Sequence, residues 1–215
     1  MKQQEHCYTF WMVYFYESEP LEGSRKYQIA TGKDKYENDL LIKYGYRELN
    51  YVWFHTDKYS SGHVYLKLHP DEKSLDDVPA EVVNDCLQLC KSMSIQGNKM
   101  NQCTILQTPW HNLRKNQYMK PGEVSFKSLQ RVRKKQCFAR DQRLLNRLAK
   151  TRVEVTDEVE QLLHQAKKSK DGDFFLRYVA DNREKLIEEA RVRKQDKKRR
   201  KKREQEDGSD SNLSS

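Results

Sequence analysis

The chain has 215 residues, 36% apolar and 34% charged, with a net charge of +9 and a mean hydropathy of −1.05. The apolar share lies below the ~45–50% of ordinary globular domains and the charged share above their ~25%, so a core requires apolar and charged residues to be segregated along the chain. No apolar run approaches the ~18 residues that span a bilayer. Met1–Trp11 lacks the apolar centre of a signal peptide, and five cysteines without a CxxC pair point to reduced thiols in cytosol or nucleus.

Residues 1–11 look detached from the rest of the chain and read as an upstream-start extension. Met12-Val13-Tyr14-Phe15-Tyr16 reads as a buried strand and Tyr27–Ala30 as a second. Gly32–Lys35 is a turn, and Leu40, Leu41, Ile42 and Tyr44 belong to a short helix ended by Gly45. Tyr51–His55 and His63–Leu68 read as two strands of an antiparallel hairpin across the loop Lys58–Gly62. Val82, Val83, Cys86, Leu87, Leu89 and Cys90 recur at helical spacing, which predicts a helix over Pro79–Met93. Cys103–Thr108 is a further strand, and Pro121-Gly122 makes a turn before a short strand ending near Phe126.

From Ser128 the character changes. Residues 130–152 read as one helix, with Cys137, Phe138, Leu144, Leu145 and Leu148 in one arc and Arg140, Arg143, Arg147 and Lys150 in the opposite one. Residues 157–170 read as a second helix with Thr156 as its N-cap. Lys170–Asp173 is a break, and Phe174–Arg203 is a long helix, apolar at its start and charged at its end. Residues 204–215 are disordered by composition. The expected architecture is therefore α+β: an antiparallel or mixed sheet with flanking helices over 12–127, a basic, coiled-coil-like helical extension over 128–203, and an acidic, serine-rich tail.

The positive charge is confined to two stretches. Residues 12–110 hold 11 bases and 14 acids, whereas 111–152 hold 13 bases and 2 acids. Residues 153–190 are acidic again, with 6 bases and 10 acids, and 191–203 hold 10 bases and 1 acid. Blocks of this kind attract polyanions. Each Lys or Arg that neutralises a phosphate releases condensed counterions, giving affinity without sequence information. The arc Arg140, Arg143, Arg147, Lys150 is expected to follow a phosphate backbone. Lys197, Lys198, Arg199, Arg200, Lys201, Lys202 and Arg203 would do the same, or serve as a solvated face or nuclear import signal.

Aromatic residues supply a second kind of contact. Trp53, His55, His63 and Trp110 lie on or beside strands, near Lys33, Lys35, Lys67, Lys99, Arg114 and Lys115. Flat rings stack unpaired bases while lysines hold the backbone. The competing reading makes Trp53 and Phe54 core, and alternation puts Trp53 and His55 on one side of the strand and Phe54 on the other. No metal site is expected, because His55 and His63 lack a third ligand and Cys86 and Cys90 sit on an apolar helix side. No Walker A, GxGxxG or GxSxG motif occurs, and Asp57, Asp76 and Asp77 have no recognisable catalytic partner. No cofactor or enzymatic activity is expected. His69-Pro70-Asp71 is the tripeptide that J-domain cochaperones carry between two helices, but here it follows a predicted strand.

An ordered set of blocks carries a resemblance: Gly32-Lys33-Asp34 with Glu37–Leu41, Trp53-Phe54-His55, Ser61–Leu66, Ser94 with Lys99, Thr108-Pro109-Trp110 with Leu113 and Lys115, and Pro121–Val124 with Phe126. Over about Met12–Phe126 the chain resembles the NFACT-R domain, the RNA-binding module of the NFACT proteins of ribosome-associated quality control. Its layout is similar to the stand-alone form, the coiled-coil domain-containing protein 25 family. The resemblance implies an α+β domain, nucleic-acid binding, and a setting near ribosomes or tRNA. It supplies no enzyme residues, and the large N-terminal domain and middle coiled coil of full NFACT proteins are missing here. The expected function is thus an RNA-binding adaptor in the cytoplasm and nucleus, with tRNA, rRNA or DNA as ligand. The rivals are a scaffold pairing its tail with a partner helix, and an Hsp70 cochaperone.

Overall fold

The computed structural model describes residues 11–156 and 158–210. Nine strands and five α-helices follow one another: β1 (Val13–Ser18), β2 (Tyr27–Gly32), α1 (Lys35–Tyr44), β3 (Tyr51–Thr56), β4 (Val64–Lys67), α2 (Ala80–Ser92), β5 (Cys103–Pro109), β6 (Leu113–Arg114), β7 (Ser125–Phe126), β8 (Arg133–Cys137), α3 (Gln142–Thr151), β9 (Val153–Val155), α4 (Val159–Ser169) and α5 (Phe174–Asp210). Seven strands form one antiparallel sheet in the order β8-β5-β3-β4-β2-β1-β9, and β6 and β7 form a separate ribbon. The α+β reading and the β3–β4 hairpin are as expected.

Helices cover both faces of this sheet. Val52, Phe54, Val64, Leu66 and Ile105 meet α2 and α3 in one core, whereas Phe15, Ala30, Trp53, Tyr65 and Val155 meet α1, α4 and the start of α5 in the other. The alternation of β3 and β4 therefore separates two cores rather than core from water, which is why both strands are so apolar. Each large side chain so enclosed contributes ~1.5–3 kcal/mol of transfer free energy. Local signals fix the ends of the helices. Asp34 accepts from the backbone N–H of Tyr36 while Glu37 reaches back to the N–H of Asp34, a capping box that starts α1 at Lys35. Gly45 ends α1 against Trp110: a Cβ there would stand 2.2 Å from the indole.

The expected boundary near residue 127 does not separate fold from tail. Both edges of the sheet come from beyond it: β8 pairs with β5 and β9 with β1. The single helix expected over 130–152 is instead strand β8, a link, and helix α3. Arg133–Gln136 carry no apolar side to hold a helix down, and the unpaired edge of β5 gives their backbone a ladder from Gln107 to Cys103. Charged side chains along such an outer edge discourage further strand pairing. Asp141 caps α3 by accepting from the N–H of Leu144 at 3.0 Å.

Other expectations shift. α4 is preceded by Glu158 with φ of 49°, and Thr156, the expected cap, lies further upstream. α5 runs past Arg203 to Asp210, contrary to the expected disorder from 204, while 211–215 lie outside the described residues. Of the supposed N-terminal extension, 1–10 lie outside the described residues and Trp11 packs against the first core. Among the described residues no helix is long and apolar enough to cross a membrane.

Candidate nucleic-acid interface

The rings expected to stack bases mostly face inward. Trp53 and His63 are each 1% exposed. Trp53 stacks on His55 with centroids 5.4 Å apart and meets His63 and Phe126 edge-on. His63 Nε2 bonds the carbonyl of Gly122 at 3.0 Å. Burial, the neighbouring His55 and the charge of Lys115 push its pKa down to about 3, so the ring is neutral. His55 is half-buried, its pKa also lowered by desolvation, with Nδ1 2.7 Å from the carbonyl of Thr56. Trp110 is half-buried beneath Gly45. Trp53 and His63 are therefore not stacking platforms; they and Trp110 hold the sheet to the 110–126 segment.

Several expected cations are likewise engaged in the fold. Lys67 is 4% exposed and pairs with Asp173 at 3.4 Å, tying β4 to the α4–α5 break. Arg147 donates to both oxygens of Asp85 at 2.6 and 2.9 Å, and Ser18 Oγ donates to Asp85 as well. The carboxylate is fully buried, so Arg147 clamps α3 to α2. Lys115 donates to Asp39 at 2.7 Å and to the carbonyl of Lys120, and the N–H of Gly122, whose φ is +83°, donates to the same aspartate. Lys67, Arg147 and Lys115 thus hold elements together, which their spacing in the sequence does not reveal.

The remaining cations fall into separate groups. Arg140 donates to Asn98 Oδ1 at 2.7 Å, which brings it beside exposed Lys99. Buried Lys91 donates to the carbonyls of Phe138 and Asn101, fixing the 98–101 loop against the start of α3. Phe138, expected in the core, is 65% exposed between Lys135 and Arg140. Arg143 and Lys150 extend this exposed surface along α3. A second group surrounds the start of α1: Lys33 and Lys35 are exposed, Lys35 lies against Gly122, and Arg114 and Lys120 flank the 87% exposed Tyr118. Arg131, Arg133, Lys134 and Lys135 do not stand out in the sequence, because a helical reading scatters them. In β8, Arg133 grips Asp76 and Lys134 grips Asp57. Lys197–Arg203 are exposed on α5, with Arg199 paired to Asp196.

The His69-Pro70-Asp71 tripeptide follows β4 rather than a helix. His69 Nε2 bonds the carbonyl of Lys26, and Asp71 is held by a bidentate Arg25 at 2.8 Å. That setting is not the interhelical loop a J domain needs. Cys86, Cys90, Cys103 and Cys137 are buried free thiols, and among the described residues no group of three metal-ligating side chains occurs.

Residues 12–128 match the family described as the NFACT protein RNA binding domain. This chain belongs to that family. It is 70% identical over 191 residues to Protein JLP2 of Saccharomyces cerevisiae, covering 89% of this chain and 92% of the relative. It is 45% identical over 149 residues to Coiled-coil domain-containing protein 25 of Bos taurus, covering 69% and 70%, and 42% identical over 127 residues to the homolog in Dictyostelium discoideum, covering 59% and 60%. The NFACT RNA-binding match ends just before β8, so the charged sheet edge and α3 lie beyond the matched span.

Proposed function

We propose that this chain is an RNA-binding adaptor without catalytic activity, working beside ribosomes or tRNA in the cytoplasm and nucleus. The observation that carries the proposal is the exposed Phe138 set among Lys99, Lys135 and Arg140, with Arg143 and Lys150 continuing along α3. A ring in this position stacks an unpaired base, worth ~1–3 kcal/mol, while the cations follow the adjoining phosphates. Family membership supports RNA as the ligand. Lys33, Lys35, Arg114 and Lys120 around Tyr118 form a second contact, and Lys197–Arg203 add phosphate contacts that need no fixed geometry. The test is filter binding of single-stranded RNA across a salt series, with ribosome co-sedimentation as a second arm. Tight binding that weakens steeply with salt supports the adaptor, and a salt slope near zero overturns it. Sedimentation of the chain with ribosomes, reduced by Phe138→Ala, supports the ribosomal setting; its absence overturns that part.

A further inference from the structure

A cleft of about 440 Å³ opens on the α2 side of the sheet, between β3, β5 and the 3-10 turn over Leu75–Asp77. Its size lies within the ~300–1,000 Å³ of small-molecule sites. Tyr51, Val52 and Leu75 give it an apolar floor. Lys73, Arg131 and Arg133 stand at its rim, and among the described residues no carboxylate lines it.

Both walls are pinned. Thr108 donates its hydroxyl to the carbonyl of Arg131 at 2.9 Å, and Asn112 both donates to the carbonyl and accepts from the N–H of Ser128. Opposite, Arg133 bridges β8 to Asp76 with two bonds at 2.7 and 2.8 Å, and Ser74 and Asp77 cap the turn. The cleft is therefore preformed, which lowers the entropic cost of filling it. Gln107 lies inside it, on β5 directly opposite Arg133 of β8. Gln107 is 5% exposed, and its amide Nε2 has no hydrogen-bond partner. A buried donor without an acceptor costs ~1–3 kcal/mol, and a ligand bearing an acceptor removes that cost.

We infer that this cleft binds one unpaired nucleotide, its base on the apolar floor with an acceptor on its edge meeting Gln107, and its phosphate at Arg131 and Lys73. The inference deepens the RNA-binding reading and rests on it for the source of the nucleotide. A base carries ring nitrogens and carbonyls that accept from an amide, and its flat apolar faces suit the floor. The phosphate needs the cations at the mouth. Arg133 is already engaged by Asp76, so it shapes the wall, while Arg131 and Lys73 reach the ligand.

The test uses the full chain, with adenosine and uridine 5′-monophosphates as probes and inorganic phosphate as the comparison, followed by amide NMR shifts. The expected result is saturable shifts at residues 50–52, 73–75 and 107–109, with phosphate alone about tenfold weaker. Gln107→Leu should weaken nucleotide binding about tenfold and leave phosphate binding unchanged. If Gln107→Leu does not fold, Arg131→Ala should weaken both probes. Absence of shifts at these residues, or shifts indifferent to both variants, overturns the inference. Salt-dependent binding of a longer RNA, measured on the same sample, separates the two readings. Its survival without nucleotide binding sinks the cleft alone, and its loss with nucleotide binding intact sinks the adaptor alone.

Discussion

Residues 111–152 and 191–203 hold comparable cationic charge on different supports. In the first stretch, five of 13 bases are joined to carboxylates elsewhere: Lys115 to Asp39, Arg133 to Asp76, Lys134 to Asp57, Arg147 to Asp85 and Arg152 to Glu154. Those pairs hold the sheet edge, α3 and the 115–123 loop in place, and the remaining cations are presented on a fixed surface. In the second stretch the bases ride on the outer length of α5. Arg199 pairs with Asp196 within the helix, a surface pair worth ~0.3–0.5 kcal/mol. Equal charge in sequence is thus unequal in use: the first stretch builds and positions, whereas the second supplies polyelectrolyte attraction.

That contrast can be broken at several points. The largest effect is expected from Trp53→Ala, which empties a space between the sheet and the 110–126 segment. It should cost ~3–5 kcal/mol in denaturant unfolding, and RNA affinity per folded molecule should not change. Arg147→Ala should cost about 3 kcal/mol, because it leaves the Asp85 carboxylate buried with only Ser18 as a partner. A large loss of RNA affinity without loss of stability would place Arg147 in the interface instead. Replacing Lys197–Arg203 by Gln should leave the melting temperature unchanged and weaken RNA on the order of a hundredfold at low salt. Phe138→Ala should leave stability within ~0.5 kcal/mol and cost ~1–3 kcal/mol of RNA binding, the reverse of Trp53→Ala.

The smallest effect concerns pH. His63 is neutral in the folded chain, with a pKa of about 3 against ~6.5 unfolded. The unfolded chain binds the extra proton, so stability is complete above pH ~6.5 and is lost as pH falls from there toward 3. The slope from this one group is at most ~1.4 kcal/mol per pH unit, and His63→Gln should flatten it. An unchanged acid limb in urea titrations would mean that His63 is not desolvated.

Much of the fold was legible because apolar periodicity and turn residues agree over 12–110. β1 to β5, α1 and α2 all stand where those signals put them. The region beyond was legible only in part. Nothing in Arg133–Gln136 alternates, so β8 exists through its partner β5 and local pattern could not find it. Asp141, three residues before Leu144, was a readable cap that would have moved the helix start to Gln142. The site was legible as charge and illegible as rings. Alternation implied that one side of β3 faced the core, but helices cover both sides, so Trp53 and Phe54 are both enclosed. The exposed aromatics are Phe138, which a helical wheel places inside, and Tyr118, which sits in a loop without periodicity.

The most direct test of the adaptor is the salt dependence of single-stranded RNA binding by the intact chain and by a variant with Lys135, Arg140, Arg143 and Lys150 changed to Gln. At ~0.7 per phosphate contact on single strands, the intact chain should give a log–log slope of about −4 or steeper, and the variant a slope shallower by about 2 to 3 with its melting temperature unchanged. A slope near zero for the intact chain, or one untouched by these substitutions, would contradict the account.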